Sequence, residues 1–396
     1  MKTLYRKRGM KTVNYGIYEL KEIEKEWKKY KCPAEYNHIS LEQLFTNDYS
    51  LYMSTRQDGK TTNALLIGLV LFKLYDILPC VIRNDTNQIT LSNINALYDV
   101  VIDNDYIARL FDNEFNTVVY LNRERSFYLA FRGESGDIEY KDNKPCCFVA
   151  SNEKWKDYKS SKNLAKCLLI IWDEFLDTDR FTCSIVNELF NNIASFTHMN
   201  PNAHVLGLSN TVNPYSQVFE DFVITDDVTY MDFGDSKNIK SKLGTTFYIK
   251  LLSLSKKKKE NLEKKQIKFF GINNKKFANF TGVQAWQGKE YRHLEEKPTT
   301  QEILYFIKHR DKYMTVYFCE LPDKLPVFLV SKCSFIPDNR TIILCNNPVL
   351  VNEMTINAFQ FKSLYNAIHD GRVCVTTNEI GLLLDDYFAT NGIKWN

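Results

Sequence analysis

In the first half of the chain, short apolar runs alternate with longer stretches in which apolar positions recur at helical spacing. SLYM (50–53) reads as a strand. The segment from Thr61 to Leu78 is apolar almost all round and predicts a buried helix that stops before Pro79. CVIR (80–83) is a second strand, LSNINALYDVVID (91–103) has helical period, and residues 116–149 predict hairpins built from NTVVYL and SFYLAF. KCLLIIW (166–172) and AHVLGLS (203–209) are continuous apolar runs, as strands covered on both faces show, and a helical stretch around Ser184 to Phe196 lies between them. This alternation predicts an α/β domain with a mainly parallel sheet and crossover helices.

A lysine-rich segment interrupts that rhythm, and a different one follows. MTVYFCE (314–320), VFLVS (327–331) and TIILC (341–345) are successive strands separated by Pro, Asp and Asn turns. NAFQFKSLYNAIHD (357–370) is helical, RVCVTT (372–377) can be a fourth strand, and EIGLLLDDYFAT (379–390) is a closing helix. The expected organisation is therefore a first domain over 1–230, a basic linker over 231–275 and a smaller α/β domain over 276–396.

Charge sharpens the picture. The 396 residues carry a formal charge of +3, yet residues 237–276 hold 13 lysines against Glu260 and Glu263, a net of +11, which leaves −8 for the rest. Such a block is either a solvated linker or a polyanion-binding surface. A second basic cluster near the start (Lys2, Arg6, Lys7, Arg8, Lys11) favours a nucleic-acid partner.

Composition narrows the remaining classes. With 44% apolar and 14% aromatic residues the chain can fill packed cores, which argues against a disordered protein. No apolar run reaches the roughly 18 residues of a membrane span, the longest, Ala64 to Leu78, being broken by Gly68, Lys73 and Asp76. No apolar signal region follows the basic start, so a cytosolic location is expected. The ten cysteines form no CxxC pair and sit in apolar stretches, as buried free thiols do, and neither they nor the six scattered histidines have zinc-ligand spacing.

Ser54-Thr55-Arg56-Gln57-Asp58-Gly59-Lys60-Thr61 matches a phosphate loop with Ser in place of the first glycine, between a predicted strand and a predicted helix. In that reading Gly59 allows the tight turn, Lys60 puts a point charge on phosphate oxygens, and Thr61 offers a hydroxyl to Mg²⁺. Ser54 opens the loop, Thr62 follows it, and the helix start adds its dipole. LLIIWDEF (168–175) is an apolar strand ending in two acids. Asp173 can hold the Mg²⁺ shell and Glu174 can act as general base on water. The plain alternative is a pair of surface acids at a strand end; the phosphate loop upstream argues against it. Adjacent Asp and Glu also speak against a nucleotide kinase, whose strand-end acids act on the phosphoryl acceptor. HVLGLSNT (204–211) ends in Ser209 and Asn210, which either cap a turn or contact the γ-phosphate.

These residues together resemble a known family. TRQDGKTT (55–62) resembles the deviant phosphate loop of terminase large subunits, and with IIWDEF (170–175) and LSNTVNPY (208–215) it is similar to the DNA-packaging ATPases of small protein-primed podoviruses. LYNAIHDGRVCVTTNEIGLLLDDYF (364–388) resembles their C-terminal domain, an RNase H-like unit, so the resemblance spans nearly the whole chain. It implies an ATP- and Mg²⁺-dependent ring, usually a pentamer. Such a ring docks transiently on the portal of a procapsid in the host cytoplasm and drives double-stranded DNA inward, in some members with a packaging RNA between ring and capsid. By position Arg56 resembles the phosphate-loop arginine, and Lys159 in DYKSSK resembles a lysine that reaches a neighbour's ATP; a solvated loop lysine is the other reading of Lys159. Where the family carries a trans-acting arginine finger, counting back from Ser209 gives His198, and a neutral imidazole is a poor fixed charge. Lys159 or Arg180 is then the alternative cation.

The RNase H resemblance raises the question of DNA cleavage. A two-metal nuclease needs several carboxylates around ions about 4 Å apart, one of them in the first strand. MTVYFCE, taken as that strand, offers only Glu320, and Asp323, Asp338, Asp370, Asp385 and Asp386 lie in turns or on the last helix. The expectation is a domain that no longer cuts. The competing readings are a terminase with an active nuclease and a non-enzymatic nucleic-acid-binding scaffold with a degenerate ATP site.

Overall fold

The computed structural model describes residues 2–4, 20–28, 39–54, 58–85, 89–154, 167–176, 185–197, 202–210, 216–229, 233–241, 244–253, 297–310, 312–322, 325–338, 341–356 and 362–393, with isolated positions between. The chain divides into two units, Met1–Gln287 and Gly288–Asn396.

The first unit contains, in order, β1 (Lys2–Leu4), α1 (Leu20–Lys28), α2 (Leu41–Thr46), β2 (Tyr49–Ser54), α3 (Lys60–Tyr75), β3 (Pro79–Arg83), α4 (Leu91–Asn95), α5 (Asp99–Asp103), α6 (Tyr106–Leu110), β4 (Thr117–Leu121), β5 (Ser126–Arg132), β6 (Ile138–Ser151), β7 (Leu169–Asp173), α7 (Ile185–Thr197), β8 (His204–Asn210), α8 (Gln217–Asp221), α9 (Thr225–Thr229), β9 (Ser236–Lys240) and β10 (Thr246–Leu251). One sheet runs β4-β5-β6-β3-β7-β8-β2-β10-β9, with β1 beside β6. The pairs from β6 through β3, β7, β8 and β2 to β10 are all parallel. The expected α/β class with a mainly parallel sheet is what forms.

Because side chains alternate across a strand, each central strand feeds two cores. Tyr52, Val81, Ile171, Leu206 and Leu208 face the side covered by α3. Leu51, Met53, Ile82, Trp172 and Val205 face the other side, with Leu189 of α7 and Phe219 of α8. The strand sequences are apolar without a break for this reason: both faces are covered. Helix α3 is buried along most of its length, from Lys60 to Phe72. It ends where Asp76 takes a left-handed conformation and its N–H caps the Phe72 carbonyl. Among the described residues no helix is long and apolar enough to cross a membrane.

Two expectations need correction. The segment 231–275 is not a linker throughout: β9 and β10 belong to the sheet, and β10 pairs with β2 from Phe247↔Tyr49 to Leu251↔Met53. Net charge hid the pattern, because FYIKL buries Phe247, Tyr248, Ile249 and Leu251 while the lysines of β9 stay at the exposed sheet edge. The helix expected over 91–103 is also broken: a single tight turn, Ala96–Tyr98, separates α4 from α5.

The second unit contains β11 (Thr300–His309), β12 (Lys312–Glu320), β13 (Val327–Lys332), β14 (Ile343–Leu344), β15 (Glu353–Met354), α10 (Lys362–His369), β16 (Val373–Val375) and α11 (Asn378–Thr390). Its sheet runs β15-β14-β11-β12-β13-β16. β11, β12 and β13 form an antiparallel meander, β14 joins β11 in parallel and β15 joins β14 in parallel. β16 adds a parallel strand on the other edge, next to β13. The first strand is therefore β11, not MTVYFCE, which is the second. TQEILYFIKH begins with the polar residues TQE and keeps its first five residues exposed, ahead of the buried part of its apolar run.

Candidate active site

In an open parallel sheet, ligands bind beyond the carboxyl ends of the strands. Strands β2, β8 and β7 are adjacent and end together, with Ser54 opposite Asn210 and Asp173 opposite Leu208. The phosphate-loop motif, the Ser-Asn pair and the acidic pair therefore lie at the carboxyl end of three neighbouring interior strands, although they are far apart in sequence.

Gly59 has φ of 74°, a left-handed conformation that favours glycine, and the next residue starts α3. Lys60 is buried, and its Nζ donates to Ser54 Oγ at 2.7 Å. Thr61 Oγ1 donates to Asp173 Oδ1 at 2.8 Å, which joins the start of α3 to the end of β7. Thr62 is half-buried in the first turn of α3. Asp173 is buried, whereas Glu174 is exposed and has φ of 57°. Asn210 is half-buried beside Ser54, and Ser209 Oγ accepts from the Leu176 N–H at 3.3 Å. Arg56, Lys159, Arg180 and His198 lie outside the described residues.

Two residues at the end of β3 complete the arrangement. Arg83 reaches Asp173 Oδ2 with Nε at 3.2 Å and Nη2 at 2.9 Å. Asn84 donates through Nδ2 to the carbonyls of Glu174 at 3.3 Å and Phe175 at 3.2 Å. Neither figured among the residues expected from sequence. Their signal was available: Arg83 ends the predicted strand CVIR and Asn84 follows it, at the end of a parallel strand where ligands gather.

The donor set fits a polyphosphate with a hard divalent cation. A buried ammonium and the N-terminus of a long helix suit phosphate oxygens, and an alcohol paired with a carboxylate supplies the oxygen donors Mg²⁺ prefers.

In the second unit the acids do not gather. Asp386 Oδ2 lies 2.6 Å from His309 Nε2 and 2.6 Å from Arg310 Nε. Burial alone pushes the Asp386 carboxyl up, but the bonds from His309 and Arg310 and their charge outweigh it and leave it below the usual carboxylate range. Asp385 faces the Tyr291 hydroxyl at 3.4 Å, Asp370 pairs with Arg372, and Glu320 accepts from Thr300. Among the described residues no group of three or more His, Cys, Asp or Glu could hold a metal ion.

No family model and no curated protein matches the chain. Solved structures do. A chain of the bacteriophage Phi-29 viral genome packaging motor assembly superposes with a TM-score of 0.52 at 14% identity, over 89% of this chain and 99% of that one. This chain has the fold of that packaging-motor protein. The Phi-28 gp11 DNA packaging motor is also similar, with a TM-score of 0.44 at 13% identity over 88% of this chain and 96% of that one. The large terminase of a thermophilic bacteriophage, in complex with ADP, gives 0.36 at 13% identity over 94% of this chain and 81% of that one. The fold class expected from sequence, a mainly parallel α/β unit followed by a smaller C-terminal α/β unit, is what the chain shows, and the Phi-29 motor chain shares its fold.

Proposed function

We propose that the chain is an ATP-hydrolysing motor that moves double-stranded DNA into a phage procapsid through its portal. The observation that carries this reading is the 2.8 Å bond between Thr61 and Asp173, next to Lys60 at the mouth of the sheet. It brings the phosphate-loop motif and the acidic pair to one point, where a single magnesium–triphosphate could meet both. The fold of a packaging-motor chain supports it further.

In this mechanism Ser54, Gly59, Lys60, Thr61 and Thr62 cradle the triphosphate, with the helix dipole behind them. Thr61 and Asp173 would hold Mg²⁺, which would supply positive charge to the phosphate oxygens. Glu174, exposed beyond the strand end, takes the proton of the attacking water, and Asn210 senses the γ-phosphate from the neighbouring strand. Arg56 would touch the phosphates within the subunit, and Lys159, Arg180 or His198 would serve a neighbour's site in a homo-oligomeric ring, a pentamer by resemblance. The ring would work in the host cytoplasm, docked on the portal, with or without a packaging RNA. The second unit would bind nucleic acid or the portal without cutting, since Asp386 is already engaged by two basic side chains.

The test is ATP hydrolysis by the purified full chain, with and without double-stranded DNA and portal complexes, with Glu174→Gln as control. Hydrolysis stimulated by DNA and abolished in Glu174→Gln is expected. A wild type that hydrolyses no ATP, with function left intact in Lys60→Ala and Glu174→Gln, would return the chain to the scaffold reading.

A further inference from the structure

A relay of three buried amides runs from the candidate base to helix α7. Asn84 Oδ1 accepts from the Trp172 indole N–H at 2.8 Å and from Asn152 Nδ2 at 2.9 Å. Asn152 Oδ1 in turn accepts from Asn192 Nδ2, on α7, at 2.9 Å. The orientation of each amide follows from the chemistry. An indole N–H only donates, so the oxygen of Asn84 must face Trp172, and its NH₂ must then face the carbonyls of Glu174 and Phe175. The same logic fixes Asn152 and then Asn192. All three asparagines are buried: Asn84 is 6% exposed, Asn152 and Asn192 0%.

The backbone at the near end of this relay is unusual. Glu174 adopts a left-handed conformation, with φ of 57°, which an L-residue with a side chain occupies at a cost. Asn84 holds the two carbonyls on either side of the Phe175 N–Cα unit, so it keeps that turn from relaxing. The turn decides where the Glu174 carboxylate stands. Asn84 touches no reacting atom; it acts through the backbone of the residue that does.

Resting on the reading of Glu174 as the general base, we propose that Asn84, backed by Asn152 and Asn192, is a positioning residue for Glu174 and ties the place of that base to helix α7. A shift of α7 then reaches the base through three hydrogen bonds. Helix α7 is a surface element, with Phe190 exposed, and so is available to such a displacement.

The experiment is steady-state ATP hydrolysis by the full chain carrying Asn84→Ala or Asn192→Ala, each also combined with Glu174→Gln. A misplacement of about 1 Å in a catalytic group lowers turnover by about 100-fold. Asn84→Ala is therefore expected to lower kcat by about that factor with KM for ATP unchanged, and Asn192→Ala to lower it in the same direction by less. In the Glu174→Gln background, where hydrolysis is abolished, neither substitution should weaken ATP binding, a result that general loss of structure would not give. Asn192→Ala, remote from the turn, keeps the test open if Asn84→Ala fails to fold. If the wild type hydrolyses ATP, Glu174→Gln does not, and the folded asparagine variants keep wild-type kcat, the inference fails and the motor reading stands. If the wild type does not hydrolyse ATP, both fall.

Discussion

Thr61 Oγ1 stands 2.8 Å from Asp173 Oδ1, across 112 residues of sequence, while the other oxygen of Asp173 is held by Arg83. The two oxygens of the carboxylate thus play different parts, one turned to the phosphate loop and the other anchored to β3. Thr61→Ala and Asp173→Asn are expected to raise the Mg²⁺ concentration needed for hydrolysis by about 10- to 100-fold, the range found when groups that hold or orient a metal ion are removed. A magnesium titration of the rate checks it. Equal Mg²⁺ dependence in wild type and both variants would separate this bond from catalysis.

Arg83 predicts a stability effect as well. The Asp173 side chain is 4% exposed, so Arg83→Ala leaves a buried carboxylate without its cation. Breaking a buried pair in this way costs about 3–5 kcal/mol, and the 19% exposure of Arg83 places this case at or below the low end of that range. Urea unfolding measures it. Arg83→Lys should recover only part of the loss, because an ammonium cannot reproduce the paired Nε and Nη2 bonds.

Gly207 lies on β8 between the two motif strands, where a Cβ would sit 2.5 Å from Leu51 Cδ2 and 3.2 Å from Phe175 Cδ1. Both neighbours are fully buried, so neither can move aside freely. Gly207→Ala is expected to cost about 1–3 kcal/mol by overpacking. Because Phe175 directly follows Glu174, it should also lower turnover. Full turnover in a destabilised Gly207→Ala protein would mean that Phe175 can shift without moving its neighbour.

On the motor reading, the lysines of β9 and of the sequence after β10 would hold DNA. Contacts made by lysines to phosphates release counterions, so the logarithm of affinity falls with the logarithm of salt at about −0.9 per phosphate neutralised on duplex DNA. Binding of the full chain to duplexes of unrelated sequence should show one steep slope for all of them. Affinity indifferent to ionic strength would remove the electrostatic grip from the mechanism.

The first unit was legible because its signals are local. β2, β7 and β8 are unbroken apolar runs covered on both faces, and each ends in the polar residues that mark a site. β10 was missed because the lysines around it dominate the composition, although FYIKL is as apolar as a strand needs to be. Arg83 and Asn84 were missed for another reason: their place at the end of a predicted strand was visible, but what β7 brings beside them, about 90 residues away, was not. In the second unit β11 hides behind its polar start, and correcting the first strand moves attention from Glu320 to His309 and Asp386.

That last pair carries a pH dependence whose sign can be worked out. The Asp386 carboxyl is held below its usual range in the folded chain, because the bonds and charge of His309 and Arg310 outweigh its burial. In the unfolded chain it titrates near 3.9. A carboxyl with a depressed folded pKa contributes stability that is fully present above the unfolded value and is lost as pH falls through the folded one. The contribution should therefore be constant at neutral pH, begin to decline near pH 4, and vanish below that. Asp386→Asn should lower the urea midpoint of the second unit at pH 7, and the gap to wild type should close as pH drops below about 4. A gap that stays constant down to pH 3 would mean that the carboxylate's charge contributes nothing beyond the shape and hydrogen bonds that asparagine retains.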